Sequence, residues 1–250
     1  MTRAAYLDLD GTLLDPGGRI VPDTLRAVEH VRAAGWLPVL LTGRSRWVAV
    51  AIGRTLGIAD VICELGAVLV VDGQAHAAIP GALPVPREAL VRALAALPAE
   101  QHEPDAPRMA GVVLRSAAPA EALTAALASA GLNGWQAVDN GPSHRPLADG
   151  RAARVVHLLP TGVDKTAGLR RHLAHRGLDA AAAGVVGDSP ADVACADAVP
   201  ATVVVRSADA QALRAADARG LRVTDAPGAT GALEAVRALT ASRAAVTAAG

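Results

Sequence analysis

Aromatic residues are nearly missing from this chain: Tyr6, Trp36, Trp47 and Trp135 are the only four, and there is no phenylalanine. Alanine, valine and leucine must fill the core. Hydrophobic residues still make up 52% of the 250 positions, which excludes a disordered chain and allows a sizeable core of one or two domains. Cysteine is scarce too. Cys63 and Cys195 stand far apart and outside any Cys-x-x-Cys pair, so neither a disulfide framework nor a zinc site is indicated, and both read as small buried hydrophobes. Charge of one sign is also lacking. The 24 basic residues balance 24 acidic ones with no Lys/Arg block, which argues against nucleic acid or a membrane surface as a partner. No apolar run approaches the roughly 20 residues of a membrane helix. The first strand begins at once with no signal-peptide pattern, so a soluble, cytoplasmic protein is expected.

What is present starts with Tyr6-Leu7-Asp8-Leu9-Asp10-Gly11-Thr12-Leu13-Leu14. If a strand covers residues 4–9, Asp8 and Asp10 point the same way and converge where the backbone turns. Two carboxylates that close repel unless a cation or a shared proton relieves them, and a hard cation with oxygen ligands is the natural remedy. One carboxylate can then act as a nucleophile and the other as a general acid and base. Asp-x-Asp-Gly also occurs in plain turns. A calcium loop is less apt, because Thr12-Leu13-Leu14 brings no further oxygen ligands.

Strand and helix patterns alternate along residues 4–73. A helix from Pro22 ends at Gly35, a strand covers Trp36 to Leu41, and a helix runs from Arg46 to Leu56. A short strand at Val61-Ile62 follows, then the start of a hairpin over Gly66 to Gly73. Prolines 80, 84 and 86 then read as a linker. Beyond them, helices are expected at 87–97 and 119–130, and strands at 110–115, 134–138 and 153–158, with a polar loop holding Asp139, Asn140, Ser143, His144, Arg145 and Asp149. The βαβ rhythm returns after Pro160: a helix from Asp164 to Gly177, a strand at 183–187, a helix from Pro190, a strand at 202–205, a helix near 208–219, a strand at 221–223 and a last helix from Gly231. The fold expected is α/β: a Rossmann-like doubly wound parallel sheet over 1–82 and 160–250, interrupted by a small α+β insert over 83–159.

Four groups fall at the carboxyl ends of the core strands, where open parallel sheets place their ligands. These are Asp8 with Asp10, Thr42, Lys165 and Asp188. Each has a bland reading. Thr42-Gly43 serves as a turn, Lys165 as a solvated charge. Ser189-Pro190-Ala191-Asp192 suits a helix start with Asp192 reaching back to the cap, a role compatible with a place in the site. Taken together they compose phosphoryl chemistry. Asp8, Asp10 and Asp188 offer hard oxygens for Mg²⁺, Thr42 a hydroxyl, Thr42-Gly43-Arg44 backbone N–H donors, and Lys165 a neutralising charge.

Asp8-Leu9-Asp10-Gly11-Thr12, Leu41-Thr42-Gly43-Arg44, Gly162-Val163-Asp164-Lys165-Thr166 and Gly187-Asp188-Ser189-Pro190-Ala191-Asp192 resemble, in order, the four motifs of the haloacid dehalogenase (HAD) superfamily of phosphatases. An insert between the second and third motifs resembles a C2-type cap, as in the Cof-type, sucrose-phosphatase, mannosyl-3-phosphoglycerate-phosphatase and archaeal phosphoglycolate-phosphatase group, the small cap being most like the latter members. The resemblance implies a Mg²⁺-dependent phosphomonoesterase for a small phosphorylated metabolite, a sugar phosphate or a phosphoglycolate/phosphoglycerate-type ester. No exposed apolar helix face stands out in the sequence, so monomer and homodimer are both open. It makes Asp8 the nucleophile of a phospho-aspartyl enzyme and Asp10 the acid and base. Asp8, the Asp10 carbonyl and Asp188 become the metal site, with Asp192 as a further ligand or as support behind them, and Thr42, Gly43, Arg44 and Lys165 the phosphoryl site. Two residues depart from the group: Ala191 and Leu65 stand where asparagines are common.

In the insert, Asn140, His144 and Arg145 are candidates for reading the leaving group, against the plainer reading of a solvated loop. Trp47 and Trp135 could wall the pocket, although core packing is the simpler role of each. Competing readings are a phosphomutase on the same core and a non-enzymatic binding or regulatory protein that retains the fold. Hinges are expected near Gly81 and Pro160.

Overall fold

In the computed structural model, which describes residues 2–15, 17–78 and 85–247 (the last six as backbone only), β1 (Arg3–Leu7) is buried along its apolar length. Alternate side chains serve opposite faces. Ala5 and Leu7 join one apolar layer, Ala4 and Tyr6 the other. A strand covered on both faces belongs inside a parallel sheet. α1 (Pro22–Ala33) leads into β2 (Trp36–Leu41), and α2 (Arg46–Thr55) into β3 (Asp60–Cys63), which extend the sheet in parallel on one side of β1. β4 (Val68–Val71) and β5 (Gln74–Ala77) turn back as a hairpin. Its turn is Asp72-Gly73, with both residues at positive φ (52° and 76°), the geometry that Asp-Gly favours.

A second sheet follows: α3 (Arg87–Ala93), β6 (Ala99–Gln101), β7 (Val112–Ser116), α4 (Ala120–Ser129), β8 (Trp135–Pro142) and β9 (Arg154–Pro160), with antiparallel strand order β6-β7-β9-β8. It has its own apolar cluster, in which Leu90, Leu123 and Leu127 pack on Val112, Leu114, Val156 and Leu158. The same alternation turns His157, between Val156 and Leu158, to the other face, and Leu159 joins the main core.

The main sheet resumes with α5 (Lys165–Arg176), β10 (Ala183–Gly187), α6 (Pro190–Ala194), β11 (Thr202–Arg206), α7 (Ala210–Ala218), β12 (Arg222–Pro227) and α8 (Gly228–Thr247). Its order is β12-β11-β10-β1-β2-β3-β4-β5. The chain therefore leaves β1 on one side and returns on the other, and a crevice opens at the carboxyl ends of β1, β2 and β10. The second sheet is fastened over this crevice. Arg154 on β9 pairs with Asp209 at the start of α7 (2.7 Å), and Gln136 Nε2 donates to the Val163 carbonyl (3.0 Å). Glu64, at the end of β3, accepts from the Met109 and Ala110 N–H groups at 2.9 Å each.

Several elements differ from expectation. β1 stops at Leu7, not at residue 9. α3 ends at Ala93, since the approach to Pro98 does not continue a helix. β6 went unforeseen because three residues carry no readable period. β8 runs on to Pro142, with a bulge at Gly141 (φ 104°), so Asp139 and Asn140 belong to a strand and not to the loop. α8 begins at Gly228. Trp47 is not core: it is 56% exposed, with the Arg46 guanidinium stacked 4.0 Å from its ring. Trp135 packs at the edge of the second sheet's cluster. Pro80, Gly81, Pro84 and the expected boundary between 82 and 83 lie outside the described residues. Among the described residues no helix is long and apolar enough to cross a membrane.

Candidate active site

Asp8 follows β1 directly, its N–H donating to Val186 of β10 (2.9 Å), and its carboxylate is buried. Lys165, the only lysine of the chain, opens α5, which Asp164 caps by accepting from the Ala167 N–H at 2.7 Å. The ammonium is 1% exposed and donates to Asp8 Oδ1 and Asp192 Oδ1, both at 2.8 Å, which removes the solvated reading. Asp192 has both roles weighed for it. Its Oδ2 completes a capping box with Ser189 at the start of α6, while its Oδ1 holds Lys165. Asp188 comes in from the end of β10 and accepts from Thr12 Oγ1 at 3.2 Å. The loop after β1 approaches so closely that a β-carbon on Gly11 would lie 2.3 Å from Asp188 Oδ2, and Gly11 has φ +78°. Only glycine fits there.

Asp8, Asp188 and Asp192 offer oxygens that all lie within 4.8 Å of one another. Three carboxylates thus share one ammonium. Burial pushes Asp8 well above the usual carboxylate range, against the pull of Lys165 and with the help of Asp192 and Asp188. Burial and Asp192 together push Asp188 up to about 7. Lys165 moves the opposite way: burial opposes its charge, but Asp192 and Asp8 outweigh it and raise it. A crowded all-oxygen set with surplus negative charge fits a hard divalent cation such as Mg²⁺.

Asp10 departs from expectation. Because β1 ends at Leu7, Asp8 and Asp10 do not converge: Asp10 is exposed, and its carboxylate lies outside the buried cluster. It is held by both arms of Arg44, Nε to Oδ2 at 2.9 Å and Nη2 to Oδ1 at 2.6 Å. The Arg44 N–H, expected to serve a phosphate, donates instead to Thr42 Oγ1 (3.1 Å). Thr42 itself is fully buried at the end of β2. Its hydroxyl proton and the Gly43 N–H have no acceptor among the described residues. Of the three insert residues, only Asn140 is brought here. Its Nδ2 stands 2.6 Å from where a Gly43 β-carbon would be, and His157 Nε2 stands 3.1 Å from the same point. His144 and Arg145 are exposed in the turn that Ser143 Oγ closes by accepting from the Arg145 N–H. Leu65, one of the two departures from the group, adopts left-handed backbone (φ 57°, ψ 41°) that asparagine tolerates better, and it is held there by full burial and a bond from its N–H to the Thr42 carbonyl (3.1 Å).

Sequence reasoning missed Thr12, Glu64, Arg108 and His157. Thr12 lay inside the first motif and could have been taken as a second-turn donor to an acid. Glu64 follows β3 directly, and its role shows only once Met109 and Ala110 are folded onto it; Arg108 and His157 reach the crevice only through the folding of the second sheet, and no local signal marks them.

A family model described as haloacid dehalogenase-like hydrolase matches residues 5–102. Residues 5–102 of this chain carry that family's pattern. The chain is 29% identical over 192 residues to a phosphoglycolate phosphatase of Pyrobaculum neutrophilum, covering 76% of this chain and 77% of that one. Its fold is similar to that of the sucrose-phosphatase of Synechocystis, solved with sucrose and phosphate (TM-score 0.71, 18% identity, 96% and 98% of the two chains). It is also similar to a sugar phosphatase of HAD subclass IIB (TM-score 0.65, 18% identity, 94% and 98%).

Proposed function

We propose that this protein is a Mg²⁺-dependent phosphomonoesterase that acts on a small phosphorylated metabolite through a phospho-aspartyl intermediate on Asp8. The observation that carries the reading is the buried Asp8–Lys165–Asp192–Asp188 cluster beside the unused donors of Thr42 and Gly43. The phosphatase relative supports the same class of reaction. We read residues 1–82 and 160–250 as the catalytic core and 83–159 as its cap, on the strength of the separate sheet and separate apolar cluster.

Asp8 attacks phosphorus, and the bond to the ester oxygen breaks. Lys165 neutralises the oxygens, while Thr42 Oγ1 and the Gly43 N–H hold the phosphoryl group in place. Asp10 gives its proton to the leaving oxygen and then takes one from the water that attacks the phospho-aspartate. To do so it leaves its pair with Arg44, which keeps it away from the nucleophile in this structure. Asp8, Asp188, Asp192 and the Asp10 carbonyl would hold Mg²⁺, whose contribution when bound is charge neutralisation and alignment of the phosphate.

The test is phosphate release from a panel of phosphorylated sugars, glycerates and glycolate, with an Asp8→Asn control. Turnover that is absent in the control and lost with EDTA, then restored by Mg²⁺, is expected. Metal-independent release, or release that survives Asp8→Asn, would overturn the reading.

A further inference from the structure

Arg108 is a cation without a counter-ion. It comes from the loop between β6 and β7 and donates from Nη1 to the Gly43 carbonyl at 3.0 Å. Its Nε is buried with no hydrogen-bond partner, and it forms no ion pair with any described residue. Burial pulls its basicity down. The acids near it are committed or turned away. Glu64 spends its oxygens on the N–H groups of Met109, Ala110 and Arg46, and Glu103 is exposed and makes no ion pair. A largely buried, unpaired guanidinium is costly unless an anion completes it.

Two more idle donors face the same place. The Asn140 amide has no hydrogen bond to any described residue, and neither does the ring of His157, which is 2% exposed. Burial, then Arg108, Lys165 and His102, push His157 well below its ordinary value, so it stays neutral and adds an N–H without adding charge. All three groups gather around Gly43, next to the Thr42 hydroxyl that serves the phosphoryl group.

We infer that Arg108, Asn140 and His157 form a second anion subsite that reads a carboxylate on the leaving group, so that the substrate is a phosphorylated hydroxy acid and not a neutral sugar phosphate. This rests on the phosphomonoesterase reading above. The charge count selects a carboxylate over a second phosphate. Lys165 serves the phosphoryl group, and Arg108 is the cation that the structure joins to Gly43 beside Asn140 and His157, which suits a monoanion. A planar guanidinium fork also matches a carboxylate directly.

Two esters of equal length test it: 2-phosphoglycolate, ending in a carboxylate, and ethyl phosphate, ending in a methyl. Calorimetry on the Asp8→Asn protein with Mg²⁺ should show the first binding roughly 10- to 100-fold tighter, as for a hydrogen bond to a charged group. Adding Arg108→Gln should bring that ratio close to one, and Asn140→Leu should lower it in part, each in a protein whose thermal melt shows it folded. Where Arg108→Gln does not fold, Asn140→Leu decides. Equal affinity for the two esters, or equal losses on both in the variants, would overturn the subsite. Tighter binding of ethane-1,2-diol bisphosphate than of phosphoglycolate would overturn its assignment to a carboxylate. Wild-type phosphate release from the panel of phosphorylated sugars, glycerates and glycolate reports separately. Its absence beside an intact preference would overturn the phosphatase and keep the subsite; its presence without a preference would do the reverse.

Discussion

Helix α5 carries cations to both ends of the main sheet, and the two ends use them differently. At the carboxyl end, Lys165 meets Asp8 and Asp192 with Asp188 close by, so one ammonium faces three acids. At the amino end, His172 and Arg176 meet Asp60, the first residue of β3. Tyr6 Oη lies 2.9 Å from His172 Nδ1, His172 Nε2 lies 3.0 Å from Asp60 Oδ2, and Arg176 grips Asp60 with Nε and Nη2 at 2.8 and 2.7 Å while also reaching Asp72. There one buried acid meets Arg176 and a second hydrogen-bonding partner. Burial would raise Asp60, but hydrogen bonds from His172 and Arg176 outweigh it and hold the carboxyl at about 2. Similar burial with a different charge count separates a network that is finished from one that awaits further charge.

Substitutions at the two ends should break function and stability apart. Asp8→Asn is expected to remove turnover, by on the order of 10⁴-fold or more in single-turnover phosphate release, with the fold intact. Asp10→Asn should slow both half-reactions by roughly 10²–10⁴-fold in rapid-quench measurements. At the other end, Asp60→Asn should leave kcat in place and cost about 3 kcal/mol of stability. That appears as a fall of roughly 6–12 °C in the thermal melt of a chain this long. Mg²⁺ sharpens the contrast further. At about 100-fold over its dissociation constant it should stabilise the wild type by about 2.7 kcal/mol. Asp60→Asn should keep that response and Asp188→Asn lose it. The smallest effect is the acid limb. Asp60 is lowered in the folded state, so its contribution is complete above its unfolded value near 4 and is lost as pH falls from there through about 2. Acid titrations of the wild type and Asp60→Asn should diverge above that window and converge below it.

The frame of the molecule was legible because β1, β2 and β10 are short, apolar and bounded by turn residues, and because alternation and helix starts such as Ser189-Pro190 are local signals. Asp10 shows where local reasoning stops. The expected convergence rested on a strand two residues longer than the real one, and a one-turn difference sent its carboxylate to Arg44. Asn140 shows the same from the other direction: a polar residue read as loop sits in β8 and meets Gly43, 97 positions back along the chain. Arg108 and His157 carry no motif at all. Their place follows from which face of the second sheet is turned to the crevice, a property of tertiary packing and not of spacing.

A chain with a single lysine, and that one sealed in the crevice, has a built-in chemical clock. An amine-selective reagent can reach Lys165 only when the crevice or the whole fold opens, since its nitrogen is otherwise engaged by Asp8 and Asp192. Apart from the α-amino group, each label counted by mass spectrometry therefore records one opening event. The rate of labelling with and without a bound phosphate ester measures how firmly the ligand keeps the site shut.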